Sequence, residues 1–276
     1  MIIWLASFPK SGNTLLRILL SNYFFFDYQK SENPFESLDK ILKFPGKKEF
    51  TNLLNKLTEG KNLSDSDVFK LNVDNWIYFQ QIIDKPDKII YFKTHNIYSE
   101  KFTNSKLTKS FIYLIRDPRN IVLSYANHLN ISHKESLKKI VSNNFVGIVS
   151  NNIYEVYGSW ELNYLTWNEF KDVDGLFIKY EDLISNTEEQ FLKVLKHLNK
   201  SSYIKIDEKK IEKVVNLSDF EKLKNSEKKI GFKEAVGNQI FFDKGPSRKW
   251  QNELEESLAK EIEKKFNKTM RIFNYL

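Results

Sequence analysis

Three short clusters hold residue types that could do chemistry. Lys10-Ser11-Gly12-Asn13-Thr14 follows the apolar run Ile2 to Ser7 and opens a helical stretch. A glycine-containing turn at a helix start presents unpaired N–H groups and the positive end of the helix dipole, which suits an oxyanion. Lys10 adds a point charge, and Ser11 and Thr14 add hydroxyls. The same residues would also serve as a plain helix cap with a solvated lysine. The second cluster, Lys93-Thr94-His95, ends another apolar run. Neutral imidazole accepts a proton near pH 7, so His95 at a strand end beside a lysine is placed for acid–base work. His128, His133 and His197 lack such a setting. In the third cluster, Arg116 ends a run and Ser124 follows eight residues later on the next helix. A guanidinium and a hydroxyl so placed can grip one phosphate.

The elements that must position these clusters alternate. Short apolar runs at Ile2 to Ser7, Lys88 to Lys93, Ser110 to Ile115 and Gly175 to Tyr180 read as strands. Helical patterns cover Asn13 to Phe25, Asn120 to His128, Trp160 to Phe170, Thr187 to Leu198 and Leu254 to Phe266. This order predicts an α/β chain with a mostly parallel sheet covered on both faces, and one domain over residues 1–276. Ligands of such sheets bind beyond the carboxyl ends of the strands, where all three clusters fall. Ser31 to Asp87 and Lys224 to Lys249 read as irregular and are expected to wall or cover the site.

Composition narrows the classes. The 276 residues contain no cysteine, which excludes a disulfide scaffold, a thiolate metal site and a thiol nucleophile. No run approaches the ~20 apolar residues of a membrane helix, and no signal peptide is evident, so a cytoplasmic protein is expected. The net charge of +7 fits a solvated Lys/Glu surface or an anionic partner. Nucleic-acid binding would call for a basic stripe interleaved with aromatics, and the interpretable basic residues gather at strand ends instead. Tyr23 to Tyr28, Trp76 to Phe79 and the residues around Asn127 to His133 suit either core or a ligand wall.

The loop is not a Walker A motif, because Lys10 precedes Gly12 and no glycine opens it. The stretch S-F-P-K-S-G-N-T-L-L-R resembles the 5′-phosphosulfate loop of sulfotransferases that use 3′-phosphoadenosine 5′-phosphosulfate (PAPS). Lys93-Thr94-His95 resembles the same family's K-T-H, and Arg116 to Ser124 its 3′-phosphate motif. Lys179-Tyr180-Glu181-Asp182-Leu183 and Ser218-Asp219-Phe220 resemble its adenine-side segments, and Phe242 to Trp250 its closing loop.

The resemblance implies a P-loop NTPase-like, three-layer fold and transfer of a sulfuryl group from PAPS to a hydroxyl or amine, releasing the 3′,5′-bisphosphate PAP. It implies His95 as base, with Lys10 and Lys93 stabilising the leaving group. Lys10, Ser11, Gly12, Asn13 and Thr14 would hold the sulfonate end, Arg116 and Ser124 the 3′-phosphate, and Tyr180, Ser218 and Phe220 the adenine. In the closing loop Asp243 stands where the family has arginine. Arg248, or Lys244 with the Gly245 N–H, is expected to compensate. No metal is expected. The acceptor, a small molecule or glycan, stays open, as does oligomeric state, since the dimerisation segment of cytosolic animal members has no convincing copy. Two other readings are a small-molecule kinase using Mg-ATP, separable by its metal need, and a non-catalytic nucleic-acid-binding protein.

Overall fold

The structure is a computed structural model describing every residue except 46, 86–87, 151, 236–239 and 246–248. Its centre is a parallel five-stranded sheet formed by β1 (Ile2–Ser7), β2 (Leu42–Lys43), β3 (Ile90–Thr94), β4 (Thr108–Ile115) and β7 (Gly175–Lys179), in the order β2-β3-β1-β4-β7. The register sets Ala6 beside Thr94 and Tyr113, so the ends of β1, β3 and β4 lie level. An antiparallel hairpin of β5 (Val146–Ser150) and β6 (Ile153–Val156) stands apart from this sheet.

Strand β1 is buried along its whole length. Ile2, Trp4 and Ala6 face one core, and Ile3 and Leu5 face the other, as the two-residue period of a strand requires. Helices α1 (Asn13–Phe25), α8 (Thr187–Ser201) and α9 (Glu208–Leu217) cover the Ile3 side through Leu16, Leu19, Phe191, Leu195 and Ile211. Helices α2 (Lys47–Thr58), α3 (Asp65–Ile83) and α6 (Trp160–Glu169) cover the other, with α12 (Glu256–Lys265) and α13 (Asn267–Ile272) closing over it. Burial on both faces explains why the strands read as continuous apolar runs.

The stretch Ser31 to Asp87 departs from the irregular wall expected of it. It contains α2, α3 and β2, and its Trp76 and Phe79 are core residues at 0% and 2% exposure. Helix α3 starts at a capping box in which Ser64 and Asp67 satisfy each other's backbone N–H. The predicted helix from Leu254 to Phe266 is α12, and a short α11 (Trp250–Glu253) precedes it. Among the described residues, no helix is long and apolar enough to cross a membrane.

Candidate active site

The loop after β1 is shaped by two left-handed residues, Lys10 (φ 67°) and Gly12 (φ 94°). Gly12 is required there twice over. It tolerates the positive φ, and a Cβ would meet the Tyr180 ring at 2.3 Å. Helix α1 has no side-chain cap, so its N-terminal end leaves backbone N–H groups that a ligand could satisfy. Asn13 turns inward, donating to the Leu5 carbonyl (2.9 Å) and Ser7 Oγ (3.1 Å), and contributes only backbone to the loop's surface.

Arg116, at the end of β4, donates from Nη1 to the Lys10 carbonyl (3.0 Å) and lies over the Tyr180 ring at 4.3 Å. The two candidate phosphate loops are thereby joined. Helix α4 (Pro118–Leu129) begins after Asp117, which caps it with proline at its first position, and carries Ser124 inward. Lys10 Nζ lies 4.4 Å from the Phe241 ring.

His95 has a defined tautomer. Its Nδ1 is 2.7 Å from the Ser7 carbonyl oxygen, which can only accept, so Nδ1 carries the hydrogen and Nε2 is the basic nitrogen. Burial, then the adjacent Lys93 charge, holds the imidazole well below its usual value of 6.5. It is therefore neutral at pH 7. Lys93 is lowered to about 8, chiefly by burial, with Glu155 opposing.

A cavity of about 710 Å³ joins these parts. Lys10, Gly12, Asn13, Thr14, Lys93, His95, Arg116, Ser124, Tyr180, Phe220, Lys244 and Gly245 line it. Ser11 and Ser218 are buried behind its wall. Asp243 also lies on the wall, and Lys244 pairs with Glu253 (2.8 Å). Arg248 lies outside the described residues. Among the described residues, buried polar atoms without a hydrogen-bond partner around this cavity include Ser11 Oγ, Asn13 Oδ1, Arg17 Nε, Arg116 Nε and Ser218 Oγ. Such groups are costly unless a ligand or water completes them, and of these residues Asn13 and Arg116 line the cavity.

The matching family model, described as the sulfotransferase domain, covers residues 2–274. The chain belongs to the sulfotransferase family. Human sulfotransferase 1C2 is 27% identical over 150 residues, 51% of this chain and 48% of that protein. The bovine sulfotransferase 1E1 match covers 54% of its length, so the chain spans about half of these curated relatives. The amine sulfotransferase of Oryctolagus cuniculus is 20% identical over 98% of the chain and 81% of that protein. Retinol dehydratase, solved with androsterone and the inactive cofactor PAP, superposes with a TM-score of 0.63 at 19% identity, covering 98% of this chain and 80% of that one. Mouse sulfotransferase SULT7A1, complexed with PAP, gives 0.60 at 17% identity, covering 98% and 84%. The sulfotransferase fold is P-loop NTPase-like, as the sequence motifs imply.

Residues outside the motifs also line the cavity. His128 is one, lowered to about 4 by burial and then by Lys10. Glu155 and Tyr157 at the end of the hairpin are others. The stretch from Asn130 to Trp160 has no motif to flag them. Glu234 is a fourth. Its carboxylate accepts from Arg17 (2.8 Å) and Thr14 Oγ1 (3.3 Å) and pairs with Lys43 (2.7 Å).

Proposed function

We propose that this chain transfers a sulfuryl group from PAPS to a hydroxyl or amine of a small-molecule or glycan acceptor and releases PAP. The observation that carries this reading is the neutral His95, with Nδ1–H engaged by Ser7 and Nε2 basic, on one cavity wall with the anion-binding loop. PAPS, when bound, supplies an electrophilic sulfur and a bisphosphate leaving group.

The unpartnered Nε of Arg116, a residue on the cavity wall, and the Lys10, Lys93 and Lys244 side chains that line it support a polyanionic nucleotide in the cavity. In this reading Lys10 to Thr14 hold the sulfonate end through loop N–H groups and Lys10 Nζ, while the Thr14 hydroxyl is given to Glu234. Arg116 and Ser124 take the 3′-phosphate. Tyr180, Phe220 and Ser218 bound the adenine, with Lys244 and Gly245 at the closing loop. His95 Nε2 removes the acceptor's proton as the acceptor attacks sulfur. Lys93 and Lys10 stabilise the negative charge that develops on the departing bridging oxygen.

The test is transfer from ³⁵S-labelled PAPS, in the presence of EDTA, to a panel of phenols, alcohols, amines and oligosaccharides. Labelled product with any acceptor supports the reading. Absence of PAP binding, or γ-phosphate transfer from Mg-ATP instead, overturns it.

A further inference from the structure

Strand β6 brings a carboxylate to this centre that none of the motifs includes. Glu155 is 2% exposed. Its Oε1 accepts from the Lys93 ammonium (3.4 Å) and the His95 backbone N–H (3.3 Å), and its Oε2 accepts from the Tyr157 hydroxyl (3.2 Å). A carboxylate so far from water persists only with partners of this kind.

Its placement is built into the backbone. Val156 N–H donates to Asn96 Oδ1 (2.6 Å), and Ile97 N–H donates to the Val156 carbonyl (2.8 Å). Asn163 Nδ2 donates to the His95 carbonyl (2.9 Å) and the Tyr157 carbonyl (2.8 Å). The hairpin is thus stitched to the segment that carries His95. Tyr157 lies against Gly147 of β5, where a Cβ would come within 2.2 Å of the phenol, so only glycine leaves room for the ring that holds Glu155.

We propose that Glu155 is a positioning residue of the transfer centre: it fixes the Lys93 ammonium beside His95, and Tyr157 braces it there. The function of Lys93 rests on the sulfuryl-transfer reading, while the pairing itself does not.

The groups facing Lys93 come from several elements: Glu155 of β6, Lys43 of β2, Arg17 of α1, Glu234 from the segment after α10 (Phe220–Ile230), and His95 next to it. Glu155 is the strongest influence keeping the ammonium protonated against burial, Lys43 and Arg17. Replacing the carboxylate by an amide of the same shape keeps the packing and removes that influence. The Lys93 midpoint should then fall by at least about one pH unit, since an opposite charge at this range commonly moves a pKa by about 1–3.

The experiment uses the full chain with isotope-labelled lysine. The Lys93 side-chain signal is identified by its absence in Lys93→Arg and titrated by NMR without any nucleotide. PAP affinity is measured calorimetrically at about pH 6.5 and about pH 8.5, on either side of the Lys93 value of about 8. In E155Q the Lys93 midpoint moves down by at least about one unit. PAP affinity falls severalfold more at the higher pH than at the lower, and E155D restores part of both. Y157F, which keeps the acid and removes its brace, gives a smaller shift of the same sign. An unchanged Lys93 midpoint in folded E155Q and Y157F overturns the inference, as does an equal loss of PAP affinity at both pH values. A wild-type chain that does not bind PAP sinks the donor-site reading instead and leaves the Lys93 titration to judge the pairing.

Discussion

His95 shows how one hydrogen bond sets a residue's chemistry. Because Nδ1–H is engaged by the Ser7 carbonyl, the ring presents Nε2 as a base, and low polarity with nearby Lys93 keeps it unprotonated. His95→Ala should lower turnover by about 10²–10⁴-fold while PAP affinity, read calorimetrically, stays within about twofold. Retained turnover removes the base assignment. The acid limb of kcat/KM for PAPS should lie below pH 6.5, because the group must lose its proton to act and its value is depressed. A limb at or above 6.5 contradicts this. His197 is a useful contrast. Its Nε2 lies 2.7 Å from Ser110 Oγ and its Nδ1 lies 3.7 Å from Asp174, the residue types of a hydrolytic triad. Yet Nε2 also faces the Phe111 carbonyl (3.2 Å), so it carries the hydrogen, and Ser110 is fully buried. Ser110→Ala should leave sulfuryl transfer unchanged.

Elements, more than single residues, hold this cavity wall in place. Glu234 ties the segment after α10 to α1 and β2 through Arg17 and Lys43, with Arg17 at 1% exposure. These cations hold the carboxylate at about 2, below its usual 4.5, even though burial acts the other way. A depressed carboxylate stabilises the fold above its unfolded value and loses that contribution as pH falls through the folded one. Glu234→Gln should therefore cost about 3 kcal/mol near pH 7. The gap from wild type should shrink from about pH 4.5 downward in thermal melts, and a gap constant with pH contradicts the pairing. Gly12→Ala forces a Cβ into the Tyr180 ring that Arg116 covers, so PAP affinity should drop at least about tenfold with the circular dichroism unchanged. The three loop clusters were legible because each joins an apolar strand to a polar turn within a few residues. Glu155 and Glu234 were not, since the cations they serve lie 62 residues away for Lys93 and 217 for Arg17, and only the fold brings them together. Helices α2 and α3 were missed because their polar faces dominate Ser31 to Asp87. The Ser64–Asp67 capping pair was the local signal for α3.

Over the whole molecule, the order of strands and helices was readable because a sheet buried on both faces leaves uninterrupted apolar runs, as in Ile2 to Ser7. The +7 charge resolves into a few placed cations. Lys10, Lys93 and Arg116 line the cavity, while pairs such as Lys193–Glu189 and Lys260–Glu256 lie on the surface. A second, buried junction closes the far side. Arg119 bonds Asp117 (2.7 Å), Glu263 (2.5 Å) and the Tyr275 carbonyl (2.7 Å), and its guanidinium lies 4.0 Å from the Trp250 ring. Arg119→Met leaves two acids without their cation and should cost about 3–5 kcal/mol in denaturant melts. A loss below about 1 kcal/mol would mean the acids find other partners. The central place of β1 bears on synthesis as well. Its partners are residues 90–94 on one side and 108–114 on the other, so a ribosome must add some ninety residues before IIWLAS can pair at all. Until then an apolar, β-prone strand stays exposed, and protection of that segment by chaperones, more than anything at the active site, should govern how much soluble protein a cell recovers.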